Sequence, residues 1–311
     1  LGTRKVTLSL VLLAFLIPLS IFNIHAAHGV ATPNNTACPQ SSQTNCEFNY
    51  SDFSSTNGIT LNGNVAITSG SILRLTSSIA NQAGSAWYNI KQNVSEGFST
   101  IFRFQIIPSG GGDGFAFVIQ NNGTASLGNS GLGLGYQGIP KSVAVEFDTY
   151  QNGAHLFELP NLHDVSDHEI AIHTKGLSPN SADETNAIPP GPVSTSIDFQ
   201  KDRIDHTVKI VYTFGVLEVF LDDLSNPVLA AAVNLKSELA ASDGMALVGF
   251  TAGTGQKTEN HDILDWMFVT QVPNSNVVQN GDFSNDLLDW TPVRTAIVSG
   301  TRGEYPIFQT L

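Results

Sequence analysis

The segment Ser142-Val-Ala-Val-Glu-Phe-Asp-Thr-Tyr-Gln-Asn152 sets the hardest condition on the fold. It reads as a strand, with Val143, Val145, Phe147 and Thr149 on one face and Ala144, Glu146, Asp148 and Tyr150 on the other. Glu146 and Asp148 then stand about 6.6 Å apart along the strand. In an otherwise apolar strand two such carboxylates repel one another and resist leaving water, unless a cation lies between them. Asn152 follows, and the loop beyond carries Asp164, Asp167 and Glu169, an oxygen-rich set suited to a hard ion such as calcium. The alternative is a pair of solvated acids on an edge strand.

The remaining sequence points to β structure throughout. Only 13% of the 311 residues are charged, and strand-like runs recur between Gly- and Asn-rich turns. They cover 59–68, 71–76, 85–90, 98–107, 114–120, 142–150, 169–174, 207–213, 217–222, 246–251 and 263–269. Runs this short and numerous predict an all-β sandwich or barrel. Phe214-Gly215 reads as a hairpin tip, 234–241 as one short helix, and the Pro-, Asn- and Ser-rich stretch 178–192 as an exposed loop. A formal net charge of −13 leaves no basic stripe for nucleic acid or anionic lipid, and suits cations and neutral ligands.

Arg4 and Lys5 precede an apolar run from Val6 to Ile24, followed by Ala26, Ala27, Gly29 and Ala31. Residues 1–31 therefore read as a secretory signal peptide, or as an uncleaved N-terminal anchor, since the run is nearly long enough to span a bilayer. The expectation is a secreted or cell-surface protein, with a membrane contact only where that segment is retained. Residues 32–45 form a polar spacer. Cys38 and Cys46, the only cysteines, are placed to form a disulfide contributing about 2–3 kcal/mol, free thiols being the alternative. Residues 272–276 read as a linker. Residues 277–311 are too short to bury their own core and read as a tail or the start of an incomplete second β-sandwich module.

The blocks Phe102-Arg-Phe, Gly111-Gly-Asp-Gly-Phe-Ala-Phe-Val-Ile119, Gly135-Tyr-Gln-Gly-Ile139 and Val143-Ala-Val-Glu-Phe-Asp-Thr149 stand in a fixed order. Val248-Gly-Phe-Thr-Ala-Gly-Thr-Gly255 and Glu259-Asn-His-Asp-Ile-Leu-Asp-Trp266 follow them. In this order the blocks resemble legume-type (L-type) lectin domains over residues 46–271, in the style of a secreted bacterial or archaeal member. The resemblance implies a concanavalin A-like antiparallel β-sandwich with a sugar site in loops above a metal pair. Asp113 matches the aspartate that hydrogen-bonds sugar hydroxyls, following a cis peptide at Gly112–Asp113. Gly131–Gly135, with Gly133 at its centre, matches the loop whose backbone N–H contacts sugar. Gly255 and Gln256 lie in what looks like the last ligand loop. Tyr150 matches a residue giving a carbonyl to calcium and a ring face to sugar, and Asn152 one that binds both. The implied metal ligands are Glu146, Asp148, Tyr150, Asn152, Asp164 and Glu169, holding calcium and, as a second divalent ion, manganese or calcium. The weaker likeness of Val277–Trp290 is to bacterial jelly-roll carbohydrate-binding modules.

One motif departs from the pattern. The family has a histidine five residues after the aspartate, and this chain has Glu169 there with His168 one position early. Neighbouring strand residues face opposite sides, so Glu169 is expected inward, a carboxylate favouring calcium or manganese over zinc-like ions. The same sandwich carries laminarinase-like glycoside hydrolases with Glu-x-Asp-x-x-Glu, but here the third carboxyl is Gln151, which cannot donate and recover a proton. The expected function is calcium-dependent glycan recognition without catalysis. The alternative is an adhesion or envelope protein whose sandwich has lost its sugar site. A homodimer stays open, since such lectins pair exposed edge strands and the sequence does not rank the edges.

Overall fold

A computed structural model describes residues 44–108, 110–152, 164–199 and 203–271, together with the backbone of 295–297 and 308–310. In chain order the strands begin with β1 (Thr44–Tyr50), β2 (Ile59–Gly63), β3 (Ala66–Ile67), β4 (Leu73–Thr76), β5 (Ala83–Tyr88) and β6 (Gln92–Asn93). They continue with β7 (Phe98–Pro108), β8 (Gly114–Gln120), β9 (Ser142–Asp148), β10 (Glu169–Thr174), β11 (Val193–Ser194) and β12 (His206–Thr213). After them come β13 (Val216–Leu221), β14 (Leu229–Ala232), the single-turn helix α1 (Leu235–Glu238), β15 (Met245–Gly253) and β16 (Glu259–Gln271). The short strands β17 (Thr295–Ile297) and β18 (Phe308–Thr310) pair with each other.

Two eight-stranded antiparallel sheets result. One runs β14-β13-β12-β7-β16-β4-β3, with β1 also on β16, and the other β11-β10-β9-β8-β15-β5-β2, with β6 on β15. Strand β12 alternates buried and half-buried residues, the pattern of a strand with one wetted face. Strands β8 and β9 are buried at every position because both of their faces are covered. Phe115, Phe117, Val145 and Phe147 point into the core between the sheets. Ala116, Val118 and Ala144 point the other way, into a second cluster with Trp87, Leu134, Tyr136 and Ile139. The core is built on aromatic pairs: Phe115 and Phe147 stack at 4.8 Å, and Phe102 meets Phe250 edge-on at 4.9 Å. Such pairs add about 0.5–1.5 kcal/mol each beyond the area they bury.

The all-β sandwich expectation holds, as does the Phe214-Gly215 hairpin between β12 and β13. Strand β16 is longer than expected because it pairs along its length with β7, with β4 at one end and β1 at the other. The stretch 178–192 is not an exposed loop. Asn180 is buried, and its Nδ2 reaches Ser142 O at 3.3 Å, Ser142 Oγ at 3.0 Å and His173 O at 3.2 Å. One amide thereby serves backbone carbonyls of β9 and β10 and lays the loop over them, which a polar composition does not reveal. Cys46 is disulfide-bonded. Cys38, the signal or anchor segment, the spacer up to residue 43 and the linker lie outside the described residues, as does the tail apart from β17 and β18. Among the described residues no helix is long and apolar enough to cross a membrane.

Candidate functional site

Strand β9 is an interior strand, so Glu146 and Asp148 are buried rather than solvated at an edge, and that alternative is excluded. They project from the face opposite the core. Antiparallel pairing with β10 sets Glu169 across from Asp148 and Ala171 across from Glu146. Two-residue alternation then carries His173 to the same face as Glu169. Its Nε2 lies 2.9 Å from Glu146 Oε1 and 3.6 Å from Glu184 Oε1. Glu184 arrives on the folded-down loop, in a 3-10 turn capped by Asp183, whose Oδ1 accepts from Thr185 N at 2.9 Å. Glu146, His173 and Glu184 form one set with ligand atoms all within 4.8 Å of one another, and Asp164, Glu169 and Glu184 form a second.

The orientation of each group has a local cause. Glu169 is the inward residue, fully buried, while His168 turns outward to Asp167 at 2.7 Å. Glu169 Oε2 accepts the N–H groups of Val165 and Ser166, and its Oε1 has no partner. Asp148 Oδ1 accepts from Tyr150 N at 2.7 Å, and Asp164 Oδ2 accepts the Asn152 N–H. Tyr136 donates its hydroxyl to Glu146 Oε2 at 2.5 Å. Gln151 Nε2 donates to Asp164 O at 3.2 Å, so this amide braces the loop.

Five carboxylates thus gather around one imidazole. Burial raises Asp164 to about 7, the Asn152 N–H opposing it and Glu146 adding to it. Burial, then Glu184 and Glu146, raise Glu169 to about 9, while burial, Asp164 and Glu146 push Asp148 well above its ordinary range. Burial disfavours a charged His173, but Glu146 and Glu184 outweigh it and hold the ring up at about 10. For Glu146 burial is outweighed by His173 and Tyr136, and its carboxyl is lowered. Without a bound cation the folded protein therefore holds protons that the unfolded chain has released. Groups raised in this way contribute stability that is complete below their unfolded values and is lost as pH climbs through the folded ones. Kept in chelator, the protein should melt at progressively lower temperature from about pH 5 to about pH 9. A thermal-melt series that stays level or rises over that span would refute this account of the cluster.

Asp113 lies just before β8, whose Gly114 pairs with Asp148, and Thr149 N donates to Asp113 O at 2.9 Å. The Gly112–Asp113 peptide is cis, as the resemblance implied. The Asp113 carboxylate accepts the Gly255 N–H, its Oδ2 has no partner, and burial raises it to about 6. A Cβ at Gly255 would meet that Oδ2 at 2.9 Å, so this glycine leaves the carboxylate its room, while one at Gly131 would lie at an ordinary contact distance of 3.9 Å. Tyr150 is half-buried beside Gly112, Asn152 is half-buried, and Gln256 is exposed. Gly133 is buried and its N–H donates to Ser130 O, within its own turn. The structure thus brings Asp113, Gly131 and Gly255 together, and Asn152 with Asp164, but engages the Gly133 N–H elsewhere. Beneath the Asp113 loop, buried Glu259 accepts from Thr149 Oγ1 and lies 3.1 Å from His261 Nε2, whose Nδ1 is 2.6 Å from Thr76.

The sequence reading missed His173, Glu184 and Tyr136. The first was within reach, since 169, 171 and 173 share a strand face. Nothing local to Glu184 marks it, because its position depends on the fold of a loop.

A family model described as a legume lectin beta-barrel domain matches residues 48–264. A basic agglutinin of Psophocarpus tetragonolobus is 30% identical over 263 residues, covering 74% of this chain and 97% of its own length. A probable L-type lectin-domain containing receptor kinase VII.2 of Arabidopsis thaliana is 30% identical over 253 residues. That alignment takes in 73% of this chain and 35% of the kinase, so the chain spans about a third of that relative. Among solved structures, basic winged bean lectin with Tn-antigen superposes with a TM-score of 0.56 at 26% identity, over 73% of this chain and 99% of that one. These are plant proteins, and they lend no support to a bacterial or archaeal style.

Proposed function

This chain belongs to the legume lectin family, and on that premise we propose that it is a carbohydrate-binding protein that recognises a glycan reversibly, with calcium and without catalysis. The observation that carries the reading is the Asp113 carboxylate, buried between Gly131 and Gly255 with one oxygen unpartnered, on the strand end that also presents the acidic cluster. Asp113 accepts from a sugar hydroxyl, the Asn152 amide donates to a neighbouring one, and the Tyr150 ring covers an apolar sugar face. Gly255 and Gln256 close the other side.

Asp148, Asn152, Asp164 and the Tyr150 carbonyl are oxygen donors of the kind calcium takes. The fit of divalent cations to the cluster rests on buried acids that lack partners, not on composition. A second divalent ion, manganese or calcium, adjoins the first on the Glu146 side, with Glu169 turned toward it. The bound charge holds the Asp164 and Asn152 loop in the posture a sugar meets. The absence of catalysis in this reading is supported by Gln151, which spends its amide on Asp164 O where a hydrolase of this architecture would carry its acid/base carboxyl. A secreted or cell-surface setting and a homodimer through sheet edges are consistent with this reading.

A glycan array probed in millimolar calcium and again in chelator tests it. The expected result is a set of monosaccharide-related hits present only with calcium. A blank array under both conditions would leave the adhesion or envelope reading in its place.

A further inference from the structure

We propose that Glu259, held in place by His261, is a positioning residue of the sugar site: through the Thr149 hydroxyl it fixes the end of β9 against which the Asp113 loop is docked. The inference rests on the sugar reading above, and it gives a part in that site to the opposite sheet, which carries none of the residues assigned to the ligand.

Two-residue alternation puts Thr149 on the face of Val145 and Phe147, toward the core, while Asp148 faces the acidic cluster. Thr149 is fully buried, and its N–H donates to Asp113 O at 2.9 Å. Its hydroxyl donates to Oε1 of Glu259, the first residue of β16 in the opposite sheet. One threonine therefore joins the Asp113 backbone to a side chain across the sandwich. Glu259 is steered in turn. His261, two residues along the same strand, brings Nε2 to 3.1 Å from that Oε1, and its Nδ1 lies 2.6 Å from Thr76 Oγ1 on β4. All four side chains are fully buried. Packing alone does not call for these groups. Valine has the shape of threonine without its hydroxyl, and an apolar residue of glutamate's length would fill the same space without desolvating a carboxylate. That cost is visible, since Glu259 Oε2 is buried without a partner. What the polar chain adds is direction: apolar contacts are non-directional, whereas a hydrogen-bonded network fixes one placement of the two sheets. Both groups also lie within electrostatic reach of Asp113. After burial and the Gly255 N–H, His261 lowers that carboxyl and Glu259 raises it.

The test uses the full chain in saturating calcium, with titration calorimetry on the best array hit and amide hydrogen exchange at positions 113 and 149 as readouts. Thr149→Val keeps the branched shape and loses the hydroxyl. It should bind glycan about tenfold more weakly and exchange faster at both amides. Thr149→Ser, which keeps the hydroxyl, should restore both. Glu259→Met should match Thr149→Val, and the double variant should be no weaker than either, because all of them break one chain of contacts. A merely structural role would lower the melting temperature of Thr149→Val and Glu259→Met while leaving the affinity of the folded protein at its wild-type value, and that result would overturn the proposal. So would Thr149→Ser binding as weakly as Thr149→Val, or exchange that Thr149→Val does not change. If Glu259→Met does not fold, the two Thr149 variants decide alone. A wild type that binds no glycan, with exchange still following the hydroxyl, would instead sink the sugar reading and leave the tie between Glu259 and the Asp113 loop standing.

Discussion

Chelation of the purified protein will lower its melting temperature by about 5–10 °C for each ion removed, and added calcium will restore it. The size follows from linkage: an ion present at a hundred times its dissociation constant contributes about 2.7 kcal/mol to folding. The direction follows from the cluster of Glu146, Asp148, Asp164, Glu169 and Glu184, four of them buried, with a single imidazole, His173, beside Glu146 and Glu184. Removing the cation leaves those groups to take up protons or repel, and either is a loss relative to the unfolded chain, where water solvates them. Scanning calorimetry in chelator and in millimolar calcium reads the difference directly. Superimposable melts would mean that protons and hydrogen bonds alone satisfy the cluster, and the ion reading would be abandoned.

The second large effect is expected at the sugar. Asp113→Ala removes a charge-assisted acceptor worth about 1.5–3 kcal/mol, equivalent to roughly a ten- to hundredfold loss of affinity. Its calcium-dependent melt should change little, because the carboxylate contacts Gly255 rather than the acidic cluster. Asn152→Ala should weaken glycan binding and the calcium response together, since Asn152 is tied to Asp164. Titration calorimetry on the best array hit separates the two variants. Wild-type affinity in Asp113→Ala would place the ligand elsewhere on the molecule.

The parts of this protein that were legible in sequence are those written in a two-residue period. The strand from Ser142, with Glu146 and Asp148 on one face and Phe147 on the other, could be read because side chains of a strand alternate whatever the tertiary context. Glu169 over His168 was decided by the same parity. His173 obeys that parity too, but it lies four residues beyond Glu169, outside the spacing that marks the motif. Glu184 is different in kind. Its place depends on Asn180 satisfying carbonyls of two strands, a bargain between residues 38 positions apart in one case and 7 in the other. Strand ends were also hard to read: β16 extends past its apolar stretch because three neighbours offer it backbone partners, which local composition does not encode.

The outer strands of the two sheets bear on how the protein behaves at high concentration. Strands β8 and β9, uninterrupted seven-residue runs of buried residues, would be efficient templates for self-association if either lay at a border. Both are interior. The borders are instead β14 with four residues, β3 with two, β11 with two and β2 with five, together with β1, seven residues paired only with β16, and β6, two residues paired only with β15. A two-residue border offers an incoming chain almost no ladder to extend, so among the described residues strand addition is left to the β1, β2 and β14 edges. Strand length thus guards the β3 and β11 edges in particular, and lengthening either by design would expose a new ladder to strand addition without touching the core.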